Sequence, residues 1–183
     1  MNIRFATKED APALLDIYNQ YIETPITFET ELPSIEEFTR RIETYSSFYP
    51  YLVAENEEGK ITGYAYAHRI FERSSYRFDV ETTIYVSQEA HHNGTAKMLY
   101  ERLFFYLEKM NVVNAYALVT GPNRQSIHFH RKCGFKDFAT FSESGIKDGK
   151  WIDVIWFIKV LNEKSSNPPE LKGIKEVLAE QDS

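Results

Sequence analysis

The stretch YVSQEAHHNGTAKMLYE, residues 85–101, joins a predicted strand to a predicted helix through an Asn-Gly turn. The first N–H groups of a helix have no partner within the helix, and with the helix dipole they form a site for an anion. Gly94 has no Cβ and lets a ligand approach the backbone, while Thr95 and Ala96 keep the next turn small. The stretch predicts either an anion site that would suit a pyrophosphate or an ordinary left-handed turn.

The pattern of apolar residues on both sides of this junction predicts an α/β (α+β) fold. Thr7 with Asp10, and Ser34 with Glu37, form two capping boxes that start helices, and a hairpin is expected around Gly59. The element order is β-α-α-β-β-β-α-β-α-β-β. This order predicts a mixed sheet with helices on both faces.

The chain divides into one predicted domain, residues 1–161, and a tail, residues 162–183. The segment NEKSSNPPELKG at 162–173 is polar and proline-rich, as in a linker. The end, KEVLAEQDS at 175–183, is compatible with one amphipathic helix or with a frayed end.

The composition narrows the class of protein. The 183 residues are 43% hydrophobic, which favours a packed globule, and the net charge of −6 argues against a nucleic-acid partner. Cys133 is the only cysteine, so an intrachain disulfide is excluded. The acidic N-terminus is unlike a secretory signal, and no apolar run reaches the ~18 residues of a membrane span. We expect a soluble cytoplasmic protein without a membrane partner.

The histidines do not predict a metal site. His91 and His92 are adjacent and His128 and His130 are two apart, so neither pair shares a helix face. No HExxH or CxxC motif accompanies them. Cys133 precedes a helix-ending glycine and is expected to pack rather than act as a nucleophile.

A second segment, NRQSIHFHRKCGF at 123–135, follows the junction one strand later. Together the two segments resemble the acyl-CoA motifs of the GNAT acetyltransferase superfamily. Its first motif, V-x-x-x-x-[QR]-x-x-G-x-[GA], is matched here at Val86, Gly94 and Ala96, and His91 stands where Gln or Arg is usual. Imidazole can donate to a phosphate, but its charge depends on pH.

Further segments are similar to the phosphinothricin acetyltransferase subfamily, which acts on small amino acids and their analogues. They are YIETPITFETE (21–31), RSSYRFDVETTIYVS (73–87), the helix at 123–135 and GIKDGKWIDVIWF (145–157). The resemblance covers most of residues 1–160. It implies a GNAT-type, centrally splayed sheet, acetyl-CoA as co-substrate, direct acetyl transfer to an amino acid or to a phosphinothricin- or methionine sulfoximine-like analogue, and a homodimer.

The resemblance also implies two catalytic residues. Glu81 matches the general base of the subfamily, although a strand glutamate is more often simply solvated. His130 matches the residue that protonates the leaving thiolate, and the alternative is a partly buried histidine paired with a backbone carbonyl.

For acetyl-CoA, the resemblance implies that the strand backbone before the junction pairs with the pantetheine amides. The Val86 N–H would then bind the thioester carbonyl. Asn123 would contact the pantetheine arm, or cap its helix, or do both. The expected set is Ile84, Tyr85, Val86, His91, His92, Asn93, Gly94, Thr95, Ala96, Lys97, Asn123 and Ser126.

For the amine substrate, Arg73, Tyr76 and Arg77 match the R-x-x-Y-R segment of the subfamily. A guanidinium suits a carboxylate, although arginines in a polar turn are commonly solvated. Phe28 is expected either to wall the substrate pocket beside Glu81 or to belong to the core.

Two other functions stay open at this stage. The enzyme could acetylate a different amine, such as a peptide N-terminus or a polyamine. The chain could also be a CoA-binding module without turnover, which the histidine at position 91 allows and the presence of both Glu81 and His130 disfavours.

Overall fold

The computed structural model describes residues 1–181 and contains seven strands and five α-helices in that range. Residues Asp182 and Ser183, which end the predicted tail helix, lie outside the described residues. The strands are β1 (Asn2–Phe5), β2 (Tyr51–Glu55), β3 (Ile61–Arg69), β4 (Asp79–Val86), β5 (Asn114–Thr120), β6 (Lys136–Lys147) and β7 (Lys150–Val160). The helices are α1 (Ala11–Ile22), α2 (Ile35–Ser46), α3 (Thr95–Lys109), α4 (Arg124–Lys132) and α5 (Ile174–Gln181).

The strands form one sheet in the order β1-β2-β3-β4-β5-β7-β6. Every neighbouring pair is antiparallel except β4 and β5, which run parallel. The predicted mixed sheet and the predicted order of elements are both confirmed.

Helices cover both faces of the sheet, because alternate strand residues point to opposite sides. On one face, Leu14 of α1 and Phe38 of α2 pack with Tyr64 of β3. On the other face, Leu103 of α3 packs with Phe157 of β7. The predicted two-faced arrangement is confirmed.

The capping box at Thr7 is confirmed, whereas at Ser34 only the cap forms, because the Glu37 carboxylate pairs with Arg40 and Arg41. The Thr7 N–H donates to the Asp10 carboxylate at 2.8 Å, and Ser34 accepts from the Glu37 N–H at 3.2 Å. The hairpin at Gly59 has the expected positive φ, +79°. Strand β4 begins at Asp79, after a short 3₁₀ turn over Ser74–Tyr76.

The tail returns to the body of the protein. Helix α5 buries Ile174 and Val177 in the same core as α3, and Asn162 donates to the Val112 carbonyl at 2.8 Å. The helical alternative for the tail is therefore the one observed in the described residues, and the domain boundary after residue 161 stays a prediction. None of the helices in residues 1–181 has the length and apolar character needed to cross a membrane.

Candidate functional site

Strands β4 and β5 separate in the middle of the sheet. They pair only through Asp79–Glu81 and residues 114–116. The Ser87 N–H donates to the Thr62 carbonyl at 2.8 Å, so by the antiparallel alternation the odd-numbered residues of β4 bond to β3. Ile84 and Val86 therefore direct their backbone N–H groups away from β3, into the gap that β5 has left.

A cavity of about 380 Å³ lies between this gap and the start of α3. Gly94 has φ +91°, and a Cβ placed on it would meet no atom within 4 Å, so the backbone faces open space. The N–H groups of Gly94, Ala96 and Lys97 have no acceptor in residues 1–181, whereas that of Thr95 is bound by Asn93 Oδ1 at 3.0 Å. Three free donors at a helix N-terminus form an anion site.

Of the twelve residues expected to bind acetyl-CoA, eleven line this cavity. Asn93 is the exception, because its side chain also accepts from the Thr95 hydroxyl at 2.6 Å and so caps α3. Asn123 is the N-cap of α4, because its Oδ1 accepts from the Ser126 N–H at 3.1 Å, and it also lines the cavity. Sequence reasoning missed the lining residues Tyr21, Ile26, Ala90, Gln125, His128, Phe129 and Lys132.

Tyr21 of α1 connects the junction to β4. Its hydroxyl donates to the Val86 carbonyl and lies 2.8 Å from His91 Nε2. Burial raises the pKa of Tyr21 to about 12, so the phenol stays protonated. Because its proton is committed to Val86, the hydroxyl accepts from a proton on Nε2, and neutral His91 then offers a ligand only the lone pair of Nδ1.

A second cavity, of about 280 Å³, lies on the α1–α2 face of the sheet and contains Glu81. Glu81 is a quarter exposed, and burial raises the pKa of its carboxyl, an effect that His68 partly opposes. The His68 Nε2 lies 3.8 Å from Glu81 Oε2. The other lining residues are Tyr18, Thr27, Phe28, Glu29, Phe38, Arg41, Tyr51, Tyr64, Tyr66, Thr83 and Tyr85.

A third cavity, of about 150 Å³, occupies the gap between β4 and β5. Glu81 and His130 both line it, together with Ile84, Asn123 and Ser126. It shares Glu81 with the second cavity and Ile84 with the first. The gap therefore joins the helix N-terminus on one side of the sheet to the carboxylate on the other.

His130 is buried, with 3% of its surface exposed. Its Nδ1 lies 2.8 Å from the Ser126 carbonyl and its Nε2 lies 2.9 Å from the Tyr100 hydroxyl. Burial lowers the pKa of His130 to about 4, although the Ser126 bond acts in the opposite direction. Nδ1 carries the proton, because a carbonyl only accepts, and Nε2 accepts from Tyr100. His130 can thus reach a thiolate only through a neighbouring hydroxyl, and its catalytic role stays a prediction.

The arginines expected near the substrate lie elsewhere in the single chain. Arg73, Tyr76 and Arg77 are exposed on the 3₁₀ turn before β4 and line none of the three cavities. The Arg77 guanidinium lies over the ring of Phe78 at 4.5 Å, and the Tyr76 ring packs against Phe71 with the two planes tilted by 52°. The structure does not bring these residues together with Glu81, and their binding of substrate stays a prediction.

The guanidinium that does reach the Glu81 cavity belongs to Arg41 of α2. It is paired with Glu29 at 2.7 Å and with Glu37 at 3.1 Å. Phe28, by contrast, lies at the wall of this cavity as expected, with 38% of its surface exposed. In the part of the chain that the structure describes, no group of three or more histidine, cysteine or acidic side chains is arranged to hold a metal.

Comparison with known proteins gives consistent matches. Residues 3–156 match the family described as acetyltransferase (GNAT) domain. Phosphinothricin N-acetyltransferase of Streptomyces coelicolor is 34% identical, over 88% of this chain and 96% of that protein. The crystal structure of a phosphinothricin acetyltransferase from Sinorhizobium meliloti with AcCoA has a TM-score of 0.88 and 32% identity, over 92% of this chain and 93% of that one. The crystal structure of a ribosomal-protein-alanine N-acetyltransferase from Brucella melitensis has a TM-score of 0.84 and 31% identity, over 87% of this chain and 99% of that one.

Proposed function

The chain belongs to the GNAT acetyltransferase family and is an acetyl-CoA-dependent N-acetyltransferase, and we propose that its acceptor is the amino group of a small amino acid or an analogue of one. The observation that carries the choice of acceptor is the cavity at Glu81. It holds a carboxylate of raised pKa in a small aromatic enclosure that meets the β4–β5 gap. The relatives named as phosphinothricin acetyltransferases support the same substrate class.

The proposed acetyl-CoA site is formed mainly by backbone groups. The free N–H groups of Gly94, Ala96 and Lys97 would hold the pyrophosphate, with Lys132 and the Lys97 side chain supplying positive charge at the cavity wall. The outward backbone of Ile84 and Val86 would pair with the pantetheine amides. In this arrangement the Val86 N–H donates to the thioester carbonyl and stabilises the negative charge that develops on its oxygen.

Glu81 would act as the general base. An α-amino group has a pKa of roughly 8, so most of it arrives protonated at neutral pH and must lose a proton before it attacks. Burial makes the Glu81 carboxylate a stronger base than a solvated glutamate. The amine then attacks the thioester directly, and no acyl-enzyme is formed.

The leaving thiolate would lie near Tyr100 and His130, which line the gap. Neutral His130 accepts the hydrogen bond of Tyr100 and so fixes the direction of that hydroxyl. We assign His130 to thiolate protonation through Tyr100: the hydroxyl gives its proton to the thiolate and takes a replacement from water, while neutral His130 orients the hydroxyl and keeps its own ring proton on the Ser126 carbonyl.

Residues 1–161 would form the catalytic domain, and we place the enzyme in the cytoplasm as a homodimer. The β6–β7 hairpin supports the dimer, because it exposes Phe138, Phe141, Ile146 and Trp151 by 50% to 61% each. Ile146 and Trp151 are directly opposite each other in the β6–β7 register, and exposed apolar side chains grouped in this way commonly mark an interface. Sedimentation equilibrium that gave the mass of one chain at micromolar concentration would contradict the dimer.

The Brucella relative favours a second candidate, the N-terminus of a peptide. A panel of amines assayed for CoA release tests both. It should contain free amino acids, phosphinothricin, methionine sulfoximine, N-terminal alanine peptides and polyamines. We expect the highest kcat/KM for a free amino acid or analogue. Preference for a peptide would move the assignment to the second candidate, and no CoA release with any amine would contradict turnover altogether.

A further inference from the structure

His68 lies beside the carboxylate that is proposed as the base. In the β3–β4 register it is directly opposite Glu81, so both side chains project from the same face into the same cavity. Its Nε2 is 3.8 Å from Glu81 Oε2. The two side chains are 22% and 25% exposed, so this pair sits at the boundary between the cavity and solvent.

The ring of His68 is held in one orientation. It stacks on Tyr45 of α2, with ring centroids 4.9 Å apart and planes 21° from parallel. Its Nδ1 lies 3.0 Å from the Arg69 carbonyl, which can only accept, so Nδ1 carries a proton. In the neutral ring, Nε2 therefore presents its lone pair toward Glu81.

The other charged and titratable groups around His68 come from each packed element. Tyr45 faces it from α2, Tyr66 from its own strand at 6.0 Å, and Glu81 from β4. In the same cavity, Arg41 is already paired with Glu29. Glu81 is thus the carboxylate nearest to the imidazole, and among residues 1–181 no unpaired cation lines the cavity to compete with the ring for it.

We propose that His68 is a second proton-transfer residue, which takes from Glu81 the proton that Glu81 removes from the amine and releases it to solvent. This inference rests on the proposed function of Glu81 as base. In the first step an N–H bond of the ammonium breaks and an O–H bond forms on Glu81. In the second step that O–H bond breaks, an N–H bond forms on His68 Nε2, and the imidazolium then gives its proton to water or buffer.

A base of raised pKa needs a second acceptor for the proton that it has taken. Burial raises the pKa of Glu81, so the carboxyl holds the proton once it has taken it, and Glu81 must be deprotonated again in every turnover. The separation of 3.8 Å is longer than a hydrogen bond, but catalytic hydrogen bonds are often long without substrate and can be bridged by one water. The ring is about as exposed as the carboxylate, so it can pass the proton on to solvent while the amine occupies Glu81.

Chemical rescue tests this assignment. His68→Ala should lower kcat on the best amine by about tenfold or more, less than the loss of ~10² expected for the base itself, with acetyl-CoA affinity unchanged. Added imidazole should restore turnover. Pyrazole should not, because it has the same ring shape but is a far weaker base. Restoration by both compounds would show that the ring only fills space, and unchanged kcat in His68→Ala would overturn the proposal.

A double variant separates this inference from the function on which it rests. In a Glu81→Gln background, removing His68 should cause no further loss, because the imidazole acts only through that carboxylate. Additive losses would contradict the relay. If the parent itself acetylates no amine, the proposed function fails before His68 is tested, and that outcome is distinguishable from normal turnover in His68→Ala.

Discussion

Gly94 takes a left-handed backbone conformation, φ +91°, where the free N–H groups of α3 meet the cavity. A valine there would be strained at this φ and would place its side chain in the space for the pyrophosphate. We expect Gly94→Val to weaken acetyl-CoA binding by at least about tenfold in a calorimetric titration.

Gly59 offers a matched control for that variant. It has φ +79° and also has no atom within 4 Å of an added Cβ, but it lies in the β2–β3 turn and lines none of the three cavities. Gly59→Val should lower the melting temperature through the same backbone strain and leave acetyl-CoA affinity unchanged. Equal affinities in a folded Gly94→Val and in the parent would contradict the pyrophosphate site at the start of α3.

His91 binds the Tyr21 hydroxyl through Nε2, so only its protonated ring can donate to a phosphate through Nδ1. His91→Gln carries an amide N–H donor whatever the state of the ring it replaces, and should bind acetyl-CoA at least as well as the parent in a calorimetric titration. Markedly weaker binding by folded His91→Gln would show that the imidazole makes a contact that the amide cannot replace.

His130 makes stability depend on pH. Its folded pKa is about 4 and its ordinary value is 6.5, so the unfolded chain takes up a proton that the buried ring refuses. Its contribution is complete above about pH 6.5 and is lost as pH falls toward about 4, by about 3 kcal/mol in all. The free energy of unfolding of His130→Gln should fall less over this window. Parallel curves for the two proteins would contradict the buried neutral state.

Local pattern predicts some of these residues and not others. The glycine turn and the Asn123 cap depend on residues only a few positions apart in the sequence, and they identify the first residues of α3 and α4. Tyr21 meets Val86 across 65 positions, and Lys147 meets Ile22 across 125. Such contacts depend on how the helices pack on the sheet, and the spacing of hydrophobic residues along the chain does not predict them.

At the scale of elements, the β6–β7 hairpin holds the loop between α1 and α2 over the Glu81 cavity. Lys147 is buried and donates to the carbonyls of Ile22, Thr27 and Glu29 at 2.5, 2.8 and 2.7 Å. Phe28 packs on the hairpin where a Cβ on Gly145 would overlap its ring. The hairpin thus fixes the position of the loop that walls the cavity.

Removal of the Lys147 ammonium should loosen that wall. Lys147→Met leaves three carbonyls without their donor, and we expect KM for the amine to rise about tenfold while acetyl-CoA affinity stays constant. Lys150→Met, on the exposed part of the same hairpin, is the matched control and should leave both constants unchanged. A normal KM for the amine in folded Lys147→Met would show that the loop keeps its position without the three hydrogen bonds of Lys147.

The order of elements along the chain could be predicted from the sequence because it rests on period and turn residues, and the motif segments were identified by family resemblance. The placement of Arg73, Tyr76 and Arg77 could not be predicted, because a short sequence match shows which residues are present but not in which direction the turn points their side chains. The same holds for α5, since a polar linker does not indicate that the helix after it returns to bury Ile174 and Val177.

At the scale of the molecule, the divergence of β4 from β5 is what makes transfer possible. It leaves a strand edge on one side, opens a passage through the sheet, and places Glu81 where that passage meets the Glu81 cavity, the proposed site of the amine. Donor and acceptor can then enter from opposite faces and meet at one carbonyl carbon. Holding two reactants in this way is itself a large part of catalysis.

Glu81→Gln tests this account most directly, with acetyl-CoA affinity and turnover measured on the same preparation. We predict unchanged affinity and a kcat lower by about 10² or more at neutral pH, with a loss that shrinks as pH rises because more amine then arrives deprotonated. Full activity of a folded Glu81→Gln at neutral pH would contradict the assignment of the base and the mechanism that depends on it.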